Sequence, residues 1–217
     1  MEFKDVIQNR HSYRSFTDRP IGLATLEAIV SDAKQAPSWA NAQPWQIVIA
    51  TGEVLAQIKD GHRLRSRRGV AGNADLTVAH RTEWTAASRN NIATWNGDLS
   101  QHLLANDAQS SYGQTQDNLF NAAALVYLVL REPVNEWAIF DLGAFSQTLM
   151  LSATNHGIQS IPAYEVVRYP DALRETFALD ETHRFIMGIA LGYRNQTAIN
   201  DFRSQRVANQ NFLTIKD

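Results

Sequence analysis

Three absences narrow what this 217-residue sequence can be: cysteine, long apolar runs and a strong net charge. Without cysteine the chain has no disulfides, thiolate metal ligands, iron–sulfur clusters or cysteine nucleophiles. Lysine and arginine number 20 against 22 acidic residues, so the formal net charge is -2 and no global field favours nucleic acid. The most apolar run, Leu119 to Leu130, is too short to span a bilayer. We therefore expect neither a nucleic-acid nor a membrane partner.

Common cofactor and catalytic motifs are missing as well. GxGxxG, GxxxxGK[ST] and GxSxG do not occur, and the six histidines show no HxH or HxxxH spacing. A Rossmann or P-loop cradle, a serine hydrolase triad and a metal site are therefore not expected. Residues 1–14 alternate charged and apolar side chains without the apolar stretch of a signal peptide, which predicts a cytoplasmic protein.

Hydrophobic periodicity predicts helices and strands that alternate in one domain, residues 1–217. The class is α+β or α/β with a central sheet. A polar stretch, at about 61–112, is expected to be an excursion of helical pieces and loops. The predicted helices are a short one leading into Arg10, Leu23–Ala36 ended by Pro37, one running from Gln116 into Ala124, Trp137–Asn155, and one starting near Pro170. The predicted strands are Trp45–Thr51, Val126–Leu130, Ile158–Ile161 and Phe185–Leu191.

The helix Trp137–Asn155 is apolar around most of its circumference, so it must be covered on every side. In a chain of this size a partner subunit is the natural cover. The tail from Asn200 to Asp217 lacks helical periodicity and ends in NFLTI, which suggests a strand donated to another subunit.

The first cluster of candidate functional residues is RHSYR, residues 10–14. In an extended segment alternate side chains point the same way, so Arg10, Ser12 and Arg14 would converge. Two guanidinium groups and a hydroxyl make a phosphate clamp, because arginine binds phosphate oxygens bidentately. The alternative is a solvated basic patch that makes only surface ion pairs.

The second cluster lies in APSWANAQPW, residues 36–45, between a helix and a buried strand. Its amides can both donate and accept hydrogen bonds along the pyrimidine edge of an isoalloxazine, and Trp39 and Trp45 could supply a flat wall. The alternative is a turn with a core tryptophan, since proline, serine and asparagine are ordinary turn residues.

Taken together, RHSYR, APSWANAQPWQIVIA and GIALGYRN resemble the FMN-dependent nitroreductase family in order and spacing, and YEVVRYP resembles its nitrobenzoate-reductase branch. The resemblance implies an α+β three-layer sandwich in which helices flank a mixed central sheet. It also implies an intertwined homodimer with a dimer-wrapping tail at about 200–217 and two FMN sites at the interface. NADH or NADPH would be the co-substrate, and hydride would pass by a ping-pong mechanism to a nitroaromatic, a quinone or another small-molecule electron acceptor.

The same resemblance implies a set of cofactor-binding residues. Arg206 from the tail would join the phosphate clamp, and Arg203 would compensate for a lysine that relatives often carry nearby. Relatives often have glutamate then glycine where this chain has Tyr164 and Glu165, so the donor to the flavin N5 atom stays open. The full set is Arg10, His11, Ser12 and Arg14; Pro37, Ser38, Trp39 and Asn41 from the second subunit; Pro162, Ala163, Tyr164 and Glu165 along the flavin N5 edge; and Arg203 and Arg206.

Hydride chemistry is assigned to FMN, so no catalytic side chain is named. Tyr112 is a candidate substrate-wall residue, whereas core packing is favoured for Phe120. The arginines at 63–68 could bind the phosphate of a pyridine nucleotide, although a solvated loop is favoured. The alternatives to nitroreduction are a reductive dehalogenase, a flavin-fragmenting relative, or a non-enzymatic FMN-binding redox module.

Overall fold

The computed structural model describes residues 1–217, in which helices and strands alternate. Its four strands are β1 (Trp45–Ala50), β2 (Ala124–Arg131), β3 (Gln159–Pro162) and β4 (His183–Gly192). Its α-helices are α1 (Phe3–Asn9), α2 (Leu23–Ala33), α3 (Gly52–Arg67), α4 (Ala86–Ala105), α5 (Gln109–Asp117), α6 (Glu136–Asn155) and α7 (Pro170–Phe177). No helix combines the length and hydropathy that a membrane crossing requires.

The strands form one sheet in the order β1-β2-β4-β3, and every neighbouring pair is antiparallel. The predicted sheet was mixed, but its parallel component is limited to one isolated bridge between Ser12 and Ser160. Apolar runs indicate where strands lie, whereas the direction in which two strands pair depends on the path of the chain between them.

Helices cover both faces of the sheet, as the predicted three-layer sandwich requires. Side chains alternate along the central strand β2. Val126, Leu128 and Leu130 pack with α2 and α6 on one face, while Leu125, Tyr127 and Val129 pack with α3 and α7 on the other.

Two predicted helices end differently in the structure. Helix α2 stops at Ala33 rather than at Ala36. The predicted helix from Gln116 into Ala124 is wrong beyond Asp117, where α5 ends. Leu119, Phe120 and Asn121 then have φ values of 46°, 62° and 56°, a left-handed turn that directs the chain into β2.

The arginine-rich segment is not the solvated loop that the sequence favoured. Arg63, Arg65 and Arg67 lie on α3, where Arg63 pairs with Asp60 and Arg65 with Asp171.

Helices α4 and α5 pack against the start of the tail in a separate small core. That core consists of Leu99, Leu103, Ala108, Ile199 and Phe202, with Trp95, Tyr112 and Ala198 at its edge.

Candidate functional site

A cavity of about 510 Å³ lies between the N-terminal segment, the turn after β3, helices α4 and α5, and the tail. Eight residues singled out from the sequence line it: His11, Ser12, Arg14, Tyr112, Pro162, Ala163, Tyr164 and Glu165. The fold therefore gathers segments that lie far apart in the sequence around one space of ligand size.

Three other predicted residues, Arg10, Arg203 and Arg206, interact electrostatically, and their chain neighbours His11 and Ser204 line this cavity. Burial lowers the pKa of Arg10, and the nearby charges of Arg206 and Arg203 lower it further. Each charged neighbour that shifts this pKa is thus another guanidinium group. Such a cluster is destabilised by its own repulsion, and an anion such as a phosphate would relieve that repulsion. Arg206 also lines a second cavity of about 430 Å³, which shares Trp95 with the first.

Arg14 has different neighbours from Arg10. Its side chain is only 8% exposed, and its Nη1 donates to the Ser12 carbonyl oxygen at 3.0 Å. Burial lowers the pKa of Arg14, and the electrostatic interaction with the Tyr112 hydroxyl group partly offsets that effect. Arg14 and Tyr112 therefore form a polar pair within the cavity wall, whereas Arg10 faces the arginines of the tail.

His11 is held between two backbone carbonyl groups. Its Nδ1 lies 3.0 Å from the Asn9 oxygen, and its Nε2 lies 3.0 Å from the Asn200 oxygen. Burial lowers the pKa of His11, and these two contacts only partly counteract burial. The ring is thereby fixed in orientation at the rim of the cavity.

Glu165 faces a network that the sequence did not reveal. Its Oε2 accepts from His62 Nε2 at 3.1 Å and from Arg168 Nη1 at 3.3 Å. Burial by itself raises the pKa of Glu165, but the His62 hydrogen bond and the Arg168 charge outweigh it, so the pKa is lowered. The carboxylate is therefore ionised and engaged with protein groups, and it ties the cavity-lining turn to α3.

The predicted second-subunit residues Pro37, Ser38, Trp39 and Asn41 lie outside the cavity of their own chain. They belong to a tight loop in which Ala40, Asn41 and Gln43 have φ values of 45°, 60° and 47°. Left-handed backbone at alanine and glutamine is strained, and such strain is typical of functional sites. The Trp39 backbone N–H donates to Asp141 Oδ2 of α6 at 2.9 Å, which secures the loop.

Sequence reasoning missed several residues of this site. Asn200 is 1% exposed: its side chain accepts from the Arg14 and Ser15 N–H groups and donates to the Ser15 and Asn195 carbonyls. No local pattern identifies a lone asparagine as a buried hub. The missed cavity-lining residues are Trp95, Gln116, Ile161, Phe202 and Ser204; Phe120 also lines the cavity, and at 3% exposure it packs in the core as predicted.

Comparison with known proteins agrees with this architecture. The chain is 28% identical over 220 residues to a 4-nitrobenzoate reductase from Pseudomonas putida, with 97% of this chain and 94% of that protein covered. It is 27% identical over 218 residues to a chloronitrobenzene nitroreductase from Comamonas testosteroni, with 97% and 95% covered. Its fold matches that of the FMN-dependent nitroreductase NfnB from Mycobacterium smegmatis, a structure solved in complex with NADPH, with a TM-score of 0.90. The two chains are 22% identical, and the match covers 99% of this chain and 97% of NfnB.

The fold and the family model lead to the same classification. A sheet between two helical layers defines an α+β protein, and a cavity of ligand size lies between its N-terminal segment and its tail. The Nitroreductase family model matches residues 7–193, and the chain belongs to that family. This match confirms the resemblance inferred from RHSYR, APSWANAQPW and GIALGYRN.

Proposed function

We propose that this protein is an FMN-dependent oxidoreductase that passes hydride from NAD(P)H to nitroaromatic acceptors. The observation that carries the proposal is the approach of Arg10, Arg203 and Arg206, from opposite ends of the chain, beside a cavity of about 510 Å³. Burial and the charges of Arg206 and Arg203 lower the pKa of Arg10, and a bound phosphate would stabilise these positive charges. FMN combines one phosphate with a flat ring of a size that such a cavity can accept.

The residues present fit FMN at both of its ends. Arg10, Arg203 and Arg206 would hold the phosphate, together with the Ser12 hydroxyl group. Arg14, buried next to Tyr112, supplies a positive charge inside the cavity and stabilises negative charge on the ring. His11, which lines the cavity, would contact the ribityl chain. The backbone of residues 162–165 would pass along the ring edge.

When bound, FMN supplies the hydride chemistry. The residues of this chain bind and orient it, and Trp95, Tyr112 and Tyr164 limit the space left beside it. NAD(P)H and the acceptor use that same space in turn, which predicts ping-pong kinetics. Nitrobenzoates are the acceptors we favour, because the YEVVRYP segment and a relative named 4-nitrobenzoate reductase both lead to that branch; quinones are further candidates.

A homodimer completes the site in this proposal. The uncovered face of α6 presents Trp137 and Phe140, which are 58% and 69% exposed. The strained loop lies against that face, because the Trp39 and Trp137 rings are 4.6 Å apart. A second copy seated there would bury the aromatic face and bring Pro37, Ser38, Trp39 and Asn41 to its partner's cavity. The exposed tail residues Phe212, Leu213 and Ile215 would wrap the partner.

The visible spectrum of the purified protein, with the released cofactor identified, is the direct test. We expect bound FMN, oxidation of NADPH or NADH with 4-nitrobenzoate, and parallel double-reciprocal plots.

Arg206→Ala should weaken FMN binding about 10- to 100-fold, since a hydrogen bond to a charged group contributes about 1.5–3 kcal/mol. Arg194→Ala, which removes only an exposed pair with Asp201, is the matched control and should bind FMN normally.

Several outcomes would contradict the proposal. A colourless protein that does not take up FMN would remove its basis. FMN binding without oxidation of NADPH or NADH would leave a non-enzymatic redox module. Loss of the yellow colour during repeated NADPH and nitroaromatic cycles would indicate flavin fragmentation, and release of halide from a halogenated acceptor would indicate reductive dehalogenation.

A further inference from the structure

Residues 70–75, here called the strap, cross the outer side of the turn that lines the cavity. The Tyr169 hydroxyl group donates to the Val70 carbonyl oxygen at 3.1 Å, and the Asn73 N–H donates to the Arg168 carbonyl oxygen at 3.0 Å. Tyr164 and Glu165, in the same turn, line the cavity. The turn is thus held between the strap on one side and the cavity on the other.

The strap is fixed at its far end by Asp75. Both carboxylate oxygens accept from Arg174 Nη2 at 2.6 Å, and one of them also accepts from the Phe185 N–H of β4 at 2.8 Å. The Asp75 side chain is only 10% exposed, so this ion pair is shielded from solvent. The strap cannot retreat from the turn without breaking these bonds.

Gly72 is the point of closest approach between the strap and the turn. A Cβ atom built on Gly72 would overlap the Tyr164 hydroxyl oxygen and lie 2.9 Å from Cγ of Arg168. Gly72 does not have a left-handed φ, so space, and not backbone conformation, requires glycine here. A larger residue would have to displace the Tyr164 ring and the Arg168 side chain, because the strap itself is anchored.

The Tyr164 side chain is 39% exposed, and its free side faces the cavity. We infer that Gly72 is a positioning residue that sets where the Tyr164 ring stands, and thereby the shape of the acceptor-binding part of the cavity. This inference rests on the proposed function for its kinetic consequence only. The packing between Gly72 and Tyr164 is a property of the chain without any ligand.

The test is a double-mutant cycle of Gly72→Ala and Tyr164→Phe, read in two ways. In thermal unfolding of the apoprotein, Gly72→Ala should lower Tm. The decrease in Tm caused by Gly72→Ala should be smaller in the Tyr164→Phe background, where the overlapped oxygen is absent. In kinetics with excess FMN, Gly72→Ala should raise the acceptor KM several-fold while the FMN Kd stays within about twofold of wild type. Tyr164→Phe in the same chain should restore the KM in large part.

Two further variants separate the possible causes. Gly97→Ala on α4, where a Cβ atom meets nothing within 4 Å, is the matched control and should change neither KM nor FMN binding. Arg168→Ala tests the second overlap. One contrary outcome is that Arg168→Ala, added to Gly72→Ala, restores the acceptor KM where Tyr164→Phe fails to do so. In that case the effect runs through Arg168, and the inference is overturned.

The inference is also overturned if the two substitutions are additive in both Tm and KM. That outcome is distinct from failure of the proposed function, which would appear in the wild-type protein as absent FMN or absent NAD(P)H oxidation. Coupling in the unfolding of the apoprotein would stand even then, and it would show that Gly72 positions Tyr164 for some other ligand.

Discussion

Asn200 joins the N-terminal arginine segment to the start of the tail. Its amide makes four hydrogen bonds, and its carbonyl oxygen lies 3.0 Å from His11 Nε2. Two backbone carbonyls that accept from this amide, those of Ser15 and Asn195, would face a carboxylate oxygen if the residue were aspartate. A single change of one atom would therefore replace two attractive contacts with repulsive ones.

We predict that Asn200→Asp lowers the free energy of unfolding by about 3 kcal/mol, since each buried group left unsatisfied costs about 1–3 kcal/mol. FMN affinity should fall too, because the repulsion at Ser15 and Asn195 would displace the segment that carries His11 and Arg14. Urea unfolding and an FMN fluorescence titration measure the two effects. Asn106→Ala, which removes only an exposed bond to His102, is the control. Equal stability of Asn200→Asp and wild type would contradict the role of Asn200 as a hub.

The pKa of Glu165 predicts a pH dependence of stability. This pKa lies below its ordinary value of 4.5 in the folded state, so the unfolded state binds the proton more tightly. The stabilisation by Glu165 is therefore fully present above that ordinary value and is lost as the pH falls through the folded pKa.

Glu165→Gln should lower the free energy of unfolding by about 1 kcal/mol at a pH of about 5.5, and by much less at a pH of about 3.5. Urea unfolding of both proteins at the two pH values measures this difference. The exposed Glu175→Gln serves as the control and should show little effect at either pH. A difference that grows towards acid would refute the role assigned to the ionised carboxylate.

At the scale of elements, α6 organises the strained loop. The buried carboxylate of Asp141 accepts from the Trp39 N–H, and the loop residues Ala40 and Gln43 hold left-handed conformations that they would not adopt in isolation. The loop conformation thus depends on a residue about a hundred positions away in sequence.

We expect Asp141→Ala to relax this loop and to destabilise the fold by about 1–3 kcal/mol, because the partly buried Trp39 N–H loses a charged acceptor. Limited proteolysis should then cut the loop faster, and FMN affinity should decrease if the loop serves the partner's site. Asp60→Ala, which removes only an exposed pair with Arg63, is the control. Unchanged proteolysis of Asp141→Ala would rule out Asp141 as the anchor.

At the scale of the whole molecule, the exposed face of α6 predicts association of two copies. Soluble chains seldom leave two large aromatic side chains, here those of Trp137 and Phe140, adjacent and open to water. The sequence already indicated this, because the helix is apolar around most of its circumference.

Phe140→Asp should convert a dimer into a monomer in light scattering after gel filtration, since a carboxylate would have to be buried without a partner. FMN binding should also be lost, because the partner's loop would no longer reach the cavity. Leu64→Asp on α3 changes an exposed apolar residue away from this face, and it should leave the dimer intact. A dimeric, FMN-replete Phe140→Asp protein would argue against α6 as the interface.

The amino-acid sequence by itself determined the positions of most elements and the family. Strand β1 and helix α6 follow directly from local apolar patterns, because hydrophobic periodicity depends on residues close together in the chain. The motif RHSYR gave three of the cavity-lining residues, His11, Ser12 and Arg14, for the same reason, since the motif is continuous in sequence.

Only the tertiary structure decided which of these residues meet. It paired Glu165 with His62, made Asn200 a hub, and turned a presumed arginine-rich loop into part of α3. Each of these outcomes depends on contacts between segments that are far apart in sequence. Such contacts are fixed by the path of the whole chain and by burial, and a local pattern carries no information about either.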